Sequence, residues 1–102
     1  MYQELSNVEL KRELTDVIKS EIVAFLNTMD GQILVGVEDD GNLYGPFQSI
    51  DRDFIDTKIA NWLQDTIYPL PSNLVKYYFN DDGVLVIEVK EGKDKPYYLR
   101  EK

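Results

Sequence analysis

The residues with the most chemical potential in this 102-residue chain are carboxylates. Glu4 and Glu9 stand five positions apart near the N-terminus, and Asp39 follows the apolar run Gln32 to Glu38. A few carboxylates can hold Mg²⁺ or Mn²⁺, and such ions orient water and stabilise phosphoryl charge. Five-residue spacing does not by itself bring two side chains together. On a strand it places them on opposite faces, and on a helix of ~3.6 residues per turn it separates them by about 140°. Convergence needs a break between them, and Ser6-Asn7 supplies two residue types that favour caps and turns. The first 83 residues hold 15 acids, so triplets also arise by accident, and a solvated acidic surface is the simpler account of most of them.

Histidine and cysteine are both absent. Imidazole bases, Ser-His-Asp and Cys-His arrangements, disulfides and thiolate metal sites are therefore excluded within this chain. Gly36 and Gly41 have the outer spacing of a phosphate-binding loop, but Asn42-Leu43 follow where Lys-Ser/Thr is required. Asp39-Asp40-Gly41-Asn42 lacks the 12-residue ligand ladder of a calcium loop, and Asp81-Asp82-Gly83 is shorter still. Both read as solvated turns.

The net charge is −8, which disfavours a whole-surface fit to nucleic acid. The charge is uneven, however. Residues 84–102 carry 5 basic and 4 acidic residues, with Lys90, Lys93, Lys95, Arg100 and Lys102 as the only basic-rich stretch. One reading is a strand edge and loop protected from aggregation by lysines. The other is a phosphate-contacting edge on which Tyr97 or Tyr98 stacks single-stranded bases.

The elements that must position these residues follow from periodicity. Val8 to Lys11 alternates, with Val8 and Leu10 on one face and Glu9 and Lys11 on the other, as in a short strand. Thr15 or Asp16 caps a helix whose Ile18, Ile22, Phe25 and Leu26 recur at helical spacing, with Asn27 and Gly31 marking its exit. Gln32 to Glu38 reads as a strand buried on both faces, and Gly36 within it marks a bulge or close backbone approach. After the Asp39–Asn42 turn, Leu43 to Gly45 returns as a short hairpin partner. Ser49 to Asp53 opens a second helix, on which Phe54, Ile55, Lys58, Ile59, Trp62, Leu63, Thr66 and Ile67 share a face until Pro69 and Pro71. Trp62 therefore belongs to the core. Leu74 to Phe79 and Val84 to Lys90 form a hairpin, Gly92 to Pro96 a loop, and Tyr97 to Leu99 a final strand. The order β-α-β-β-α-β-β-(β) gives an α+β fold, with two helices on a single mixed or antiparallel sheet.

Several segments together resemble the Schlafen AlbA-type domain. Glu4-Leu-Ser-Asn-Val-Glu9-Leu-Lys11 is similar to its E-x-x-x-x-E-[FL]-K opening, and Ala24-Phe-Leu-Asn27-Thr28-Met-Asp-Gly31 to its A-F-[AL]-N-T-x-G-G segment. Ile33 to Gly45 resembles the central I-x-[IV]-G-V-x-D-x-G-x-[IV]-x-G, and Lys95-Pro96-Tyr97-Tyr98 the late K-P-Y-Y element. Asp30 departs from the pattern by standing where the family has a glycine, and the chain ends soon after K-P-Y-Y where the family continues. The resemblance implies an Alba-like fold over residues 1–102, a domain excised or truncated from a longer protein. It also implies that Glu4, Glu9 and Asp39 match the catalytic acids of RNA-cleaving relatives.

The leading expectation is a nucleic-acid (DNA)-binding module of a bacterial transcriptional regulator. It would be cytoplasmic, without a membrane span or cofactor, and would act alongside downstream domains. Contacts are expected from Lys90, Lys93, Lys95 and Arg100 on phosphates and from Tyr97 or Tyr98 on bases of DNA or RNA. The alternatives are a homo-oligomeric assembly module, paired through the sheet edge or the Trp62 helix, and an endoribonuclease using Glu4, Glu9 and Asp39 with Mg²⁺ or Mn²⁺.

Overall fold

A computed structural model describes residues 2–100 of the chain, so Lys102 of the basic stretch lies outside the described residues. The elements are β1 (Val8–Lys11), α1 (Val17–Thr28), β2 (Gly31–Val35), α2 (Arg52–Asn61), β3 (Ile67–Tyr68), β4 (Val75–Phe79), β5 (Leu85–Val89) and β6 (Tyr98–Leu99). Four strands form a mixed sheet in the order β1-β2-β5-β4, while β3 and β6 make a separate two-stranded ribbon. β1 runs parallel to β2, and α1 is the crossover that a parallel pair requires. The β2–β5 and β5–β4 pairs are antiparallel. The class is α+β with two helices, as the alternation of periodicities implies. Among the described residues, no helix is long and apolar enough to cross a membrane.

β2 has no polar face because apolar side chains cover both of its faces. Ile33 and Val35 enter the main core with Ile18, Ile22 and Leu26 of α1 and Ile55 and Ile59 of α2. Leu34 enters a smaller cluster on the reverse face with Leu10, Val37, Val84 and Val86. Each fully buried aliphatic side chain contributes about 1.5–3 kcal/mol relative to exposure, so the central strand is held from both sides. The N-terminal segment covers part of the reverse face. Tyr2 Oη donates to Asp82 at 2.6 Å and accepts from Asn80 Nδ2 at 2.8 Å, pinning residue 2 to the β4–β5 turn.

β2 stops at Val35 because Gly36 takes φ +102° and lies against the Phe47 ring, leaving no room for a Cβ. The N–H groups of Gly36 and Val37 both donate to the Lys11 carbonyl, at 2.7 and 3.0 Å, as at a bulge. The hairpin expected at Leu43 to Gly45 shrinks to a single bridge between Val37 and Leu43, and Gly45–Ser49 instead forms a 3₁₀ turn. At α1 the Asp16 carboxylate does not cap the helix; it pairs with Lys58 of α2 at 3.4 Å. Asp51 does cap α2, accepting from Asp53 N at 2.9 Å.

The second helix is shorter than its apolar stripe. It passes through a π-helical turn at Trp62–Thr66, and Ile67-Tyr68 then turn extended ahead of Pro69, a conformation that a following proline favours. The last stripe residues thereby become a strand for β6 to pair with. Ile55, Ile59 and Trp62 are buried, but Phe54 is 54% exposed, contrary to the stripe reading. It lies beside the stripe, where the Lys58 ammonium sits 5.7 Å from its ring and 5.8 Å from that of Trp62.

Candidate functional site

The predicted site residues fall at two separate places. The acidic one is built on the free edge of β1. Ser6 and Asn7 form a tight turn, across which Leu5 and Val8 exchange two backbone hydrogen bonds of 3.1 Å. The turn folds Glu4 back beside β1, where its Oε1 accepts from Leu10 N at 3.2 Å. Leu10 faces the reverse cluster, so strand alternation turns Glu9 and Lys11 toward α1. There they meet Glu21. Lys11 Nζ lies 2.8 Å from Glu21 Oε2, while Glu21 Oε1 is buried with no hydrogen-bond partner.

Burial, then the nearby Glu21 and Glu4 charges, push the Glu9 carboxyl above its ordinary range, and Lys11 partly offsets them. The hydrogen bond to Glu21 raises the Lys11 ammonium, and Glu9 and Glu4 reinforce the shift. A carboxyl held high in this way carries a proton closer to neutrality than a surface acid does. Glu21 is the participant that the sequence reading missed. Its signal was a charge set into the apolar helical stripe between Ile18 and Ile22.

Asp39 is not brought into this group. It lies exposed in the turn after Val37 and is not among the charges acting on Glu9. Among the described residues, no three acids are arranged to hold a metal ion. The local reason is plain. Glu4 is engaged by a backbone N–H, and an ammonium already occupies the position against Glu21 where a cation would balance charge. The donors as placed do not fit Mg²⁺ or Mn²⁺.

The basic place follows α1. Gly92 N donates to Leu26 O at 2.8 Å at the C-terminal end of that helix. Asn27 then grips Tyr97 through two bonds, Nδ2 donating to Tyr97 O at 2.9 Å and Oδ1 accepting from Tyr97 N at 2.7 Å. Lys90 pairs with Asp30 at 3.7 Å and Lys95 with Glu91, while Lys93 is exposed on the loop between them. These lysines gather near the negative end of α1, whose last turn has no basic residue of its own. Asp30 needs no left-handed backbone in the glycine position; its Oδ1 accepts from Glu91 N at 2.8 Å.

The base-stacking role expected of Tyr97 is contradicted by its burial. Tyr97 is 3% exposed, with its ring against Gly92, and cannot present a face to a base. Tyr98, next along the strand, points the other way and is 52% exposed. It stacks on its cross-strand partner Tyr68 with ring centroids 6.3 Å apart, and the Arg100 guanidinium lies 4.8 Å over the Tyr68 ring. Beside this stack opens a cleft of about 700 Å³, lined by Lys19, Asn61, Gln64, Asp65, Tyr68 and Arg100 among others. Tyr68, Asn61 and Gln64 were not foreseen as site residues, because the sequence reading placed all three in or beyond a continuing helix.

The family model described as Schlafen, AlbA_2 matches residues 4–102. A comparison with curated proteins found no match.

Proposed function

Because the chain belongs to the Schlafen AlbA_2 family, whose function is related to nucleic acids, we propose that it is a nucleic-acid-binding module, serving as the DNA-binding part of a transcriptional regulator. The observation that carries this reading is the Arg100–Tyr68–Tyr98 stack on the β3–β6 ribbon. Exposed aromatic faces beside cations accept bases of any sequence, and the nearby lysines supply phosphate contacts. The acidic body repels the rest of the polyanion, which confines binding to this side.

Titration with single- and double-stranded DNA and with RNA tests the proposal. Binding is expected at low salt and should weaken about tenfold between roughly 50 and 200 mM salt, as a few released counterions require. Absence of binding at low salt, or binding indifferent to salt, would count against it.

A further inference from the structure

The stack and the cleft are one continuous surface, since Tyr68 and Arg100 belong to both. From this we infer that the cleft is a pocket for one unpaired nucleotide of a single strand, with its base against the tyrosine stack and its phosphate on Arg100. The inference rests on the nucleic-acid reading above and names the strand form that this site selects.

Three features support it. The volume of about 700 Å³ falls within the range of roughly 300–1,000 Å³ found for small-ligand pockets. The lining is divided in character. Arg100 brings a guanidinium to the cleft, lying over the Tyr68 ring, and a guanidinium suits a phosphate oxygen. Asn61 Nδ2 donates to Asp65 Oδ2 at 3.3 Å, so amide and carboxylate form a joined polar edge, with the Gln64 amide beside it. Such an edge suits the hydrogen-bonding groups of a base and repels a phosphate. Finally, Tyr98 flanks the cleft through its stack on Tyr68, which lines it, and its exposed ring extends a surface that a base can cover only when it is unstacked, as bases inside a duplex are not.

The ribbon that floors the site is anchored by the two Asn27–Tyr97 bonds. Arg100 N donates to Thr66 O at 2.7 Å, and the Tyr68–Tyr98 register ties β6 to β3. Replacing an exposed ring on this ribbon removes a ligand face without emptying the core.

The test uses fluorescently labelled 12-mers of dT and dC and a mixed-sequence duplex, read by anisotropy with the whole chain. Tyr98→Ala is expected to weaken single-strand binding about tenfold, the loss of one base stack, and to leave duplex binding within about twofold. Tyr98→Phe should restore the single-strand affinity, and Gln64→Ala should weaken it several-fold. If the unmodified protein binds neither strand form at low salt, the nucleic-acid reading itself fails and the pocket with it. If it binds, but Tyr98→Ala and Gln64→Ala leave the ratio of single-strand to duplex affinity unchanged, the pocket is overturned while the nucleic-acid reading stands. Tighter binding of the duplex than of either single strand also overturns the pocket.

Discussion

Replacing Asn27 with alanine is expected to lower stability by about 2–4 kcal/mol and to release the β6 strand from its place. The Asn27 amide serves both backbone groups of Tyr97, at 2.9 and 2.7 Å, as a neighbouring strand would. Alanine leaves one N–H and one C=O without a partner in a part-buried position, and each such group costs about 1–3 kcal/mol. β6 is two residues long and, among the described residues, pairs only with β3, itself two residues long. So short a ribbon does not hold itself in place. Its position depends on the Tyr97 anchor one residue earlier, and with it the positions of Tyr98 and Arg100.

Urea unfolding gives the global loss, and amide hydrogen exchange at Tyr98 and Arg100 gives the local one. Exchange at these two amides should accelerate more than in β2 or β5. Asn27→Asp keeps the acceptor but loses the donor, and adds a negative charge at a helix C-terminus, so it should recover little. A loss below about 0.5 kcal/mol, within the range of ordinary surface substitutions, would show that the two bonds do not anchor the strand.

The Asn27 clamp also marks the limit of what the sequence could convey. Local signals served well. The alternation at Val8–Lys11, the stripe from Ile18 to Leu26 and the Asn80–Gly83 turn each depend on a few neighbouring residues, and each appears as read. Asn27 was recognised as a helix-exit residue, yet its partner lies 70 positions away, and no spacing rule reaches so far. The second helix failed for a different reason. A helical stripe followed by a two-residue strand buries Ile67 either way, so periodicity cannot place the boundary. That ambiguity concealed β3, hence the partner of β6, hence the Tyr68–Tyr98 stack. At the acidic place, the Ser6-Asn7 break was legible because turn chemistry is local. Glu21 was not, because a charge on an apolar stripe declares itself only when the strand facing it is known.

Replacing Lys11 with methionine is expected to destabilise the protein by about 2–3 kcal/mol near neutral pH, with most of that loss disappearing in acid. Lys11 and Glu21 are largely but not fully buried, with side-chain exposures of 28% and 19%. Removing one partner of a buried ion pair costs about 3–5 kcal/mol, and the remaining solvent contact reduces that figure. Methionine keeps most of the apolar stem, so the change isolates the charge. Without the ammonium, Glu9, Glu21 and Glu4 repel one another with nothing to offset them.

The pH dependence has a definite sign. Glu9 already titrates above its ordinary value of 4.5 in the folded protein, from burial and from Glu21 and Glu4. A carboxyl raised by folding binds its proton more tightly in the native state. Its favourable contribution is complete below 4.5 and is lost as pH rises through the raised value. Removing Lys11, which now lowers the Glu9 value, widens that window upward. The stability difference between the two proteins should therefore be small near pH 4 and grow toward pH 7. At the alkaline end the original protein alone should show a further loss as pH rises above 10.5 through the raised Lys11 value, because methionine has no proton to lose. Urea midpoints for both proteins across this range measure the difference directly. A penalty that stays constant with pH would mean that Lys11 acts through its packing and not as the counter-charge of the three acids.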